Sequence, residues 1–359
     1  MKFLMIHNKT GSMYYRLTPI AMKLKREGHE VRIHKWNEMV FRHEVDWADV
    51  VVLEMVYSPE VLNMVKDMGK VIIYEIDDIM EEVDITHPAH KDMTPLRKKM
   101  TLEAISIADI VTVTTRPLRD RYLKQNKNIY VLPNYIEPIQ WLRPYKKNKG
   151  SKIRIGWGGS ISHRPDLEFI QPVIKNILDK NPETKFIYVG DGGFGDGWTA
   201  FNYSKDQFSD IPLDRKEYHL GTLPHIWSDK LASLQLDIGI APLLENAWNS
   251  AKSTCKYLEY SVNKIPAVYA KWHYGWVRES DEPYVKDGVT GLLAEENQRD
   301  WEEKIQLLIN DEKLRKKISD NSYNDVMENY LFKEHENRWM KVYKEAIDMA
   351  LQRQNKDSY

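Results

Sequence analysis

Cysteine is nearly absent: the 359-residue chain has one, Cys255. No internal disulfide can form, and this usage fits a reducing compartment. Cys255 itself reads as a packed helix residue rather than a nucleophile. Long hydrophobic runs are also missing. The opening MKFLMIHNK holds only four consecutive apolar residues between polar ones, too few for a signal peptide or a membrane span. A soluble, cytoplasmic protein is expected. Charge of one sign is lacking as well, since 52 basic residues face 53 acidic ones. Nothing in that balance suggests capture of nucleic acid or of an acidic bilayer, although peripheral contact with the inner face of a membrane stays open through the basic helices of the first half. No Asp-x-Asp occurs, and His87 and His90 in THPAH lack acidic or cysteine partners at ligand spacing. No metal site is expected. Tandem repeats and low-complexity tracts are absent too.

A chain of this length exceeds what one hydrophobic core usually supports, so two domains are expected. Short Val- and Ile-rich runs alternate with helical patterns, the mark of parallel strands joined by crossover helices. In the first half the strand-like runs are KFLMIH, HEVRIH, DVVVLE, KVIIYEI, DIVTVT and NIYVLP; in the second they are KIRIGW, KFIYVG, DIGIAP, IPAVYA and TGLLAE. EPIQWLRPYKKNKGS, with two prolines and a basic run ending in glycine, reads as a linker. These runs predict two doubly wound Rossmann-like domains facing across a cleft, with ligand loops at the carboxyl ends of the strands. The first domain spans 1–140, the linker 141–151 and the second domain 152–335. A terminal helix from about residue 336 to 359 is expected to pack back on the first.

Several stretches carry chemistry-bearing residues. In KSTCKYLEY a helix would bring Lys252, Lys256 and Glu259 within roughly 60° of arc. Taken alone, that is a solvated helix face with a surface ion pair worth under about 1 kcal/mol. YEIDD ends a buried strand with Asp77 and Asp78, which are costly to bury unless partnered or used; helix capping is the alternative. In NKTGSMYYR, Gly11 and Ser12 can approach a phosphate and Tyr15 and Arg16 can grip a ligand, while Tyr14 and Tyr15 fit a core equally. GWGGS puts Gly158, Gly159 and Ser160 at a strand-to-helix turn where backbone N–H groups can meet a phosphate. His163 and Arg164 follow it. VGDGGFGDG holds Asp191 in a turn after a strand, read as cleft lining or as a simple loop. Most of the eleven tryptophans are expected in cores, and Trp157 alone lies inside a ligand-type motif.

IRIGWGGSISHRPDL, DIGIAPL, KSTCKYLEYSVNKIPAV and DGVTGLLAE stand in an order and spacing that resembles the GT-B glycosyltransferases, and within them the retaining group 1, family 4-like type. GSMYYRLTPIAMKL and YEIDD look more specifically like transferases of bacterial polysaccharide clusters and phages. The resemblance implies that KSTCKYLEY lies on the donor-binding helix, where a helix start and lysines suit a diphosphate. Lys252 and Lys256 would be the phosphate ligands. Glu259, resembling the second glutamate of the E-x7-E motif, would take the two ribose hydroxyls. Ser253, His163, Arg164, Asp191 and the Gly158–Gly159–Ser160 turn would complete the donor site. The first glutamate of the motif falls on Ala251, and Glu245 lies too far upstream to replace it, so the sugar's identity stays open. Asp78, ahead of Asp77, is the candidate polar group near the donor sugar.

The expectation is therefore a retaining, metal-independent, cofactor-free transferase with catalytic candidates Asp78, Asp77, Lys252 and Lys256. Its donor would be a nucleoside diphosphate sugar, with UDP or GDP ahead of ADP. Its acceptor, a hydroxyl on a glycan, a lipid-linked sugar or another polymer, would bind near Gly11, Ser12, Tyr15 and Arg16. A nucleic-acid acceptor is not favoured by the neutral charge. The alternatives are a nucleotide-sugar-binding protein of the same fold without transfer, motivated by Ala251, and a nucleotide-sugar epimerase.

Overall fold

The computed structural model describes residues 1–83, 85, 90–91, 93–143, 150–159, 163–190, 208–276 and 283–356. Two six-stranded parallel sheets organise the chain. The first contains β1 (Lys2–His7), β2 (Glu30–Lys35), β3 (Val50–Glu54), β4 (Val71–Ile76), β5 (Ile110–Val113) and β6 (Ile129–Val131), in the order β2-β1-β3-β4-β5-β6. The second contains β7 (Ile153–Gly158), β8 (Thr184–Gly190), β9 (Lys216–Leu220), β10 (Ile238–Ala241), β11 (Ala267–Ala270) and β12 (Leu292–Ala294), in the order β12-β11-β10-β7-β8-β9. Strand order reverses between β1 and β3 in one sheet and between β7 and β10 in the other. Such switch points leave a crevice at the strand ends where α/β proteins bind ligands.

The sheets follow from the residues. β3 and β4 are buried at every position because helices cover both faces, so each reads as an unbroken apolar run. Alternation then sorts side chains to the two faces. Leu4, Val51, Ile72 and Val111 pack on one side with Leu62, Val65, Ala104 and Ile105 of the helices Pro59–Asp67 and Pro95–Ile107. Phe3, Val50, Ile73 and Ile110 pack on the other. There the helix Phe332–Lys356 lays down Trp339, Tyr343, Ala346 and Ala350, a helical stripe that covers the first sheet although it is last in sequence. Among the described residues no helix is long and apolar enough to cross a membrane.

One strand escaped the sequence reading. β9, KEYHL, is an edge strand whose residues are half-buried or exposed, so it lacks the Val/Ile run that marks its neighbours. The expected linker also begins with structure: Pro138–Trp141 is a short helix, and Trp141 is buried against Tyr14 and Tyr15. Residues 144–149 lie outside the described part.

The two lobes share cores. Trp248 and Ala251 belong to a hydrophobic cluster of the first sheet, while Tyr14 joins that of the second. Thr115 Oγ1 donates to the Ala251 carbonyl at 3.0 Å, and Asn134 donates from Nδ2 to Ser253 Oγ at 3.0 Å. These contacts bring the strand ends of one sheet against the 248–262 segment of the other.

Candidate functional site

Three carboxylates meet at the carboxyl ends of β3 and β4. Glu54, fully buried, accepts through Oε2 from the backbone N–H of Asn8 at 2.7 Å and of Lys9 at 2.9 Å. Asp77 accepts from Ser12 Oγ at 2.5 Å. Asp78 lies 3.2 Å from Lys9 Nζ and 3.9 Å from Lys252 Nζ. Burial first, and the adjacent charge of Asp78 second, raise the Asp77 pKa. Glu54 is pushed up to about 8, by burial and then by Asp77. For Lys9, burial acts downward, but Asp78, Asp77 and Glu54 outweigh it and raise the pKa. The cluster is thus a set of crowded acids held by two ammonium groups, one from each lobe. The short helix that follows, Met80–Glu82, has Ile79 at its cap and no side-chain cap bond, so neither aspartate serves as a helix cap there.

On the second sheet, the helix Cys255–Val262 follows a one-turn 3-10 segment, Asn249–Ala251. Lys252 is extended (φ −60°, ψ 149°) and stands before the helix. The single helical face expected for Lys252, Lys256 and Glu259 therefore holds for the last two only. Lys256 Nζ lies 2.7 Å from Glu259 Oε2, but Glu259 is only 4% exposed, so this is a cleft pair and not a surface one. Lys252 Nζ sits 4.6 Å from the Trp248 ring centroid and Lys256 Nζ 5.4 Å from that of Trp227, which favours both charges. Across the cleft Tyr15 donates its hydroxyl to Glu259 Oε1 at 2.6 Å. Burial, then the Glu259 charge, keep that phenol protonated.

A cavity of about 330 Å³ lies between the lobes, lined by Gly11, Tyr15, Gly159, Trp227, Lys256 and Glu259 among others. Gly158 and Gly159 are required by close approach: a Cβ at Gly158 would lie 2.5 Å from the Trp227 ring, and one at Gly159 2.6 Å from the Trp157 ring. His163 Nδ1 pairs with Asp166 Oδ2 at 2.8 Å, and Asp166 Oδ1 accepts from Leu244 N–H at 2.8 Å. Burial outweighs Asp166 and lowers the His163 pKa, with Lys252 and Lys256 adding to the lowering.

Other expected residues lie elsewhere. Arg16 does not face the cleft: it is fully buried, with Nε 2.7 Å from Glu75 Oε1, Nη2 3.2 Å from Glu75 Oε2, and further bonds to the Leu132 carbonyl and Asn134. All its donor edges are occupied inside the fold, so the role of acceptor grip is corrected to a structural one. Arg164 bonds Glu168 at 2.9 Å on an exposed stretch of helix. Glu245 is exposed, and its backbone N–H donates to Glu296. Ala251 is fully buried, so no carboxylate occupies its position. His90 bonds the Val83 carbonyl at 2.8 Å. Ser160, Asp191 and His87 lie outside the described residues. Among the described residues no group of three or more His, Cys, Asp or Glu is placed to hold a metal ion.

Glu54, Lys9 and Trp227 were not singled out from the sequence. Glu54 carried a usable signal, a carboxylate ending a buried strand as in YEIDD. Trp227 carried none.

The sequence matches no family model and no curated protein. Solved structures do match in three dimensions. HepE from Anabaena, determined in complex with UDP and glucose, is 14% identical with a TM-score of 0.63, covering 96% of this chain and 99% of that one. Sucrose-phosphate synthase from Thermosynechococcus elongatus is 11% identical with a TM-score of 0.69, covering 97% and 100%. TarM is 14% identical with a TM-score of 0.58, and the match covers 82% of this chain and 54% of TarM, about half its length. At these identities the likeness establishes architecture, and the architecture is GT-B, two parallel-sheet α/β lobes facing each other.

Proposed function

We propose that the chain is a glycosyltransferase that moves a sugar from a nucleoside diphosphate donor to a hydroxyl acceptor, with retention of anomeric configuration and without a metal. One observation carries the reading: Lys256 and Glu259 face Gly11 and Tyr15 of the other lobe across one cavity, with Lys252 bridging toward Asp78. Lys252, Lys256 and the first N–H groups of the Cys255–Val262 helix supply positive charge for a diphosphate. Glu259 suits the ribose hydroxyls once Tyr15 leaves it. The bond between the anomeric carbon and the diphosphate oxygen breaks as the acceptor oxygen bonds the same face, and the departing phosphate takes the acceptor proton. Fixed lysines aimed at the charge gained by the leaving group lower the barrier. HepE binds UDP in one structure and UDP-glucose in another, which supports a uridine donor here. A thermal-shift screen of free nucleotides and nucleotide sugars tests the reading, because a ligand bound only by the folded state raises the melting temperature.

Ala251 supports a second reading, a nucleotide-sugar-binding protein that does not transfer, because its buried position leaves the donor sugar without that carboxylate. Release of free nucleoside diphosphate from a panel of donors distinguishes the two. A putative UDP-N-acetylglucosamine 2-epimerase from Listeria monocytogenes shares the architecture at 11% identity and a TM-score of 0.53; an epimerase would turn over without an acceptor.

A further inference from the structure

A second cavity, of about 260 Å³, opens at the carboxyl ends of β1 and β3, where the first sheet's strand order reverses. Asn8, Trp36, Tyr57, Thr94 and Arg97 are among its lining residues. It adjoins the carboxylate cluster, because Asn8 and Lys9 both donate to Glu54 and Lys9 reaches Asp78. Its polar groups are incomplete. Arg97 Nε is buried without a hydrogen-bond partner, and the guanidinium lies 4.9 Å from the Tyr57 ring centroid. No ion pair of Arg97 is found among the described residues. The hydroxyl of Tyr57 is likewise buried and unpartnered. Native proteins rarely leave such groups unmade, so each points to a missing partner. Arg16 gives the contrast within the same lobe, with its guanidinium filled by Glu75, Leu132 and Asn134.

We propose that this cavity receives an acceptor sugar ring bearing an anionic group, a carboxylate or a phosphate, which pairs with Arg97. The inference rests on the transferase reading and adds the acceptor's chemical class. The aromatic faces of Trp36 and Tyr57 suit the apolar faces of a pyranose. The unpartnered Tyr57 hydroxyl suits one of its hydroxyls, and the guanidinium fork suits a carboxylate or phosphate in two-pronged geometry. Asp78 does not cancel Arg97, since Lys9 and Lys252 already meet its charge.

The test is saturation-transfer NMR on the full chain, titrating methyl glucuronide, glucose 6-phosphate and neutral methyl glucoside, with UDP-induced thermal shift measured on the same samples. The expected result is that at least one charged sugar binds about tenfold tighter than the neutral one. Which of the two does so identifies the anion. Arg97→Met should abolish the preference, Arg97→Lys should keep part of it, and both should retain the UDP shift. Equal binding of charged and neutral sugars, a preference that survives Arg97→Met, or no sugar binding at all would overturn the proposal. If UDP stabilises while the sugars fail, the acceptor assignment falls and the donor site stands. If the charged sugars behave as expected while no nucleotide shifts melting, the cavity stands and the transferase reading falls.

Discussion

Buried ionisable residues set part of the fold's stability. Arg16 and Glu75 form an ion pair with both side chains essentially unexposed. Removing one partner strands a charge in low dielectric, so Arg16→Met should lower unfolding stability by about 3–5 kcal/mol in urea titration. A loss below about 1 kcal/mol would show that the pair is dispensable. Burial and Asp77 move Glu54 from an ordinary 4.5 to about 8. Across that interval the folded state binds the extra proton, so Glu54 costs stability increasingly as pH rises through it. Glu54→Gln removes this cost. Its stability relative to the parent should improve steadily from about pH 5 to about pH 8, and a gap that stays constant with pH would contradict the assignment. The sequence exposed the presence of these groups but not their partners. Arg16 sits in NKTGSMYYR beside residues that do reach the cleft, and its counter-ion is 59 positions away. Only the crossover that lays β4 beside β3 brings them together.

At the level of elements, the segment from Trp248 to Val262 carries the proposed donor site. Lys252→Ala and Lys256→Ala should each weaken nucleoside diphosphate binding by roughly 1.5–3 kcal/mol, measured calorimetrically; unchanged affinity in both would remove the clamp. Tyr15 occupies one oxygen of the Glu259 carboxylate, and the proposed ribose contact requires its displacement. Tyr15→Phe should therefore tighten nucleotide binding by up to about 1 kcal/mol, and weaker binding would mean that Tyr15 supports the ligand instead. The pattern of eleven strands was legible because buried parallel strands are written as Val/Ile runs bounded by turn residues. β9 was not, because an edge strand needs no such run. The periodicity around Lys252 was legible, yet its helix starts three residues later. Spacing alone does not show that Asn249–Ala251 forms a separate turn packed on the other lobe.

For the whole molecule, two lobes facing across a cleft could be read from the repeat of the strand–helix rhythm. What could not be read was which surfaces meet. Trp248 packs into the first lobe and Tyr14 into the second, and neither position differs in sequence from an ordinary core aromatic. The cavity lined by Trp36, Tyr57 and Arg97 was invisible for the same reason, since its walls come from four separate segments of the first lobe. In the proposed reading, lysines and exposed amides between the lobes hold the donor's diphosphate without a cation. Its most direct test is calorimetric titration of UDP, GDP and ADP in EDTA, repeated with magnesium, on the parent chain and on the Lys252→Ala/Lys256→Ala double variant. At least one nucleotide should bind equally well in both buffers and lose at least about tenfold in the double variant. Binding that appears only with magnesium, or that ignores the double substitution, would contradict it.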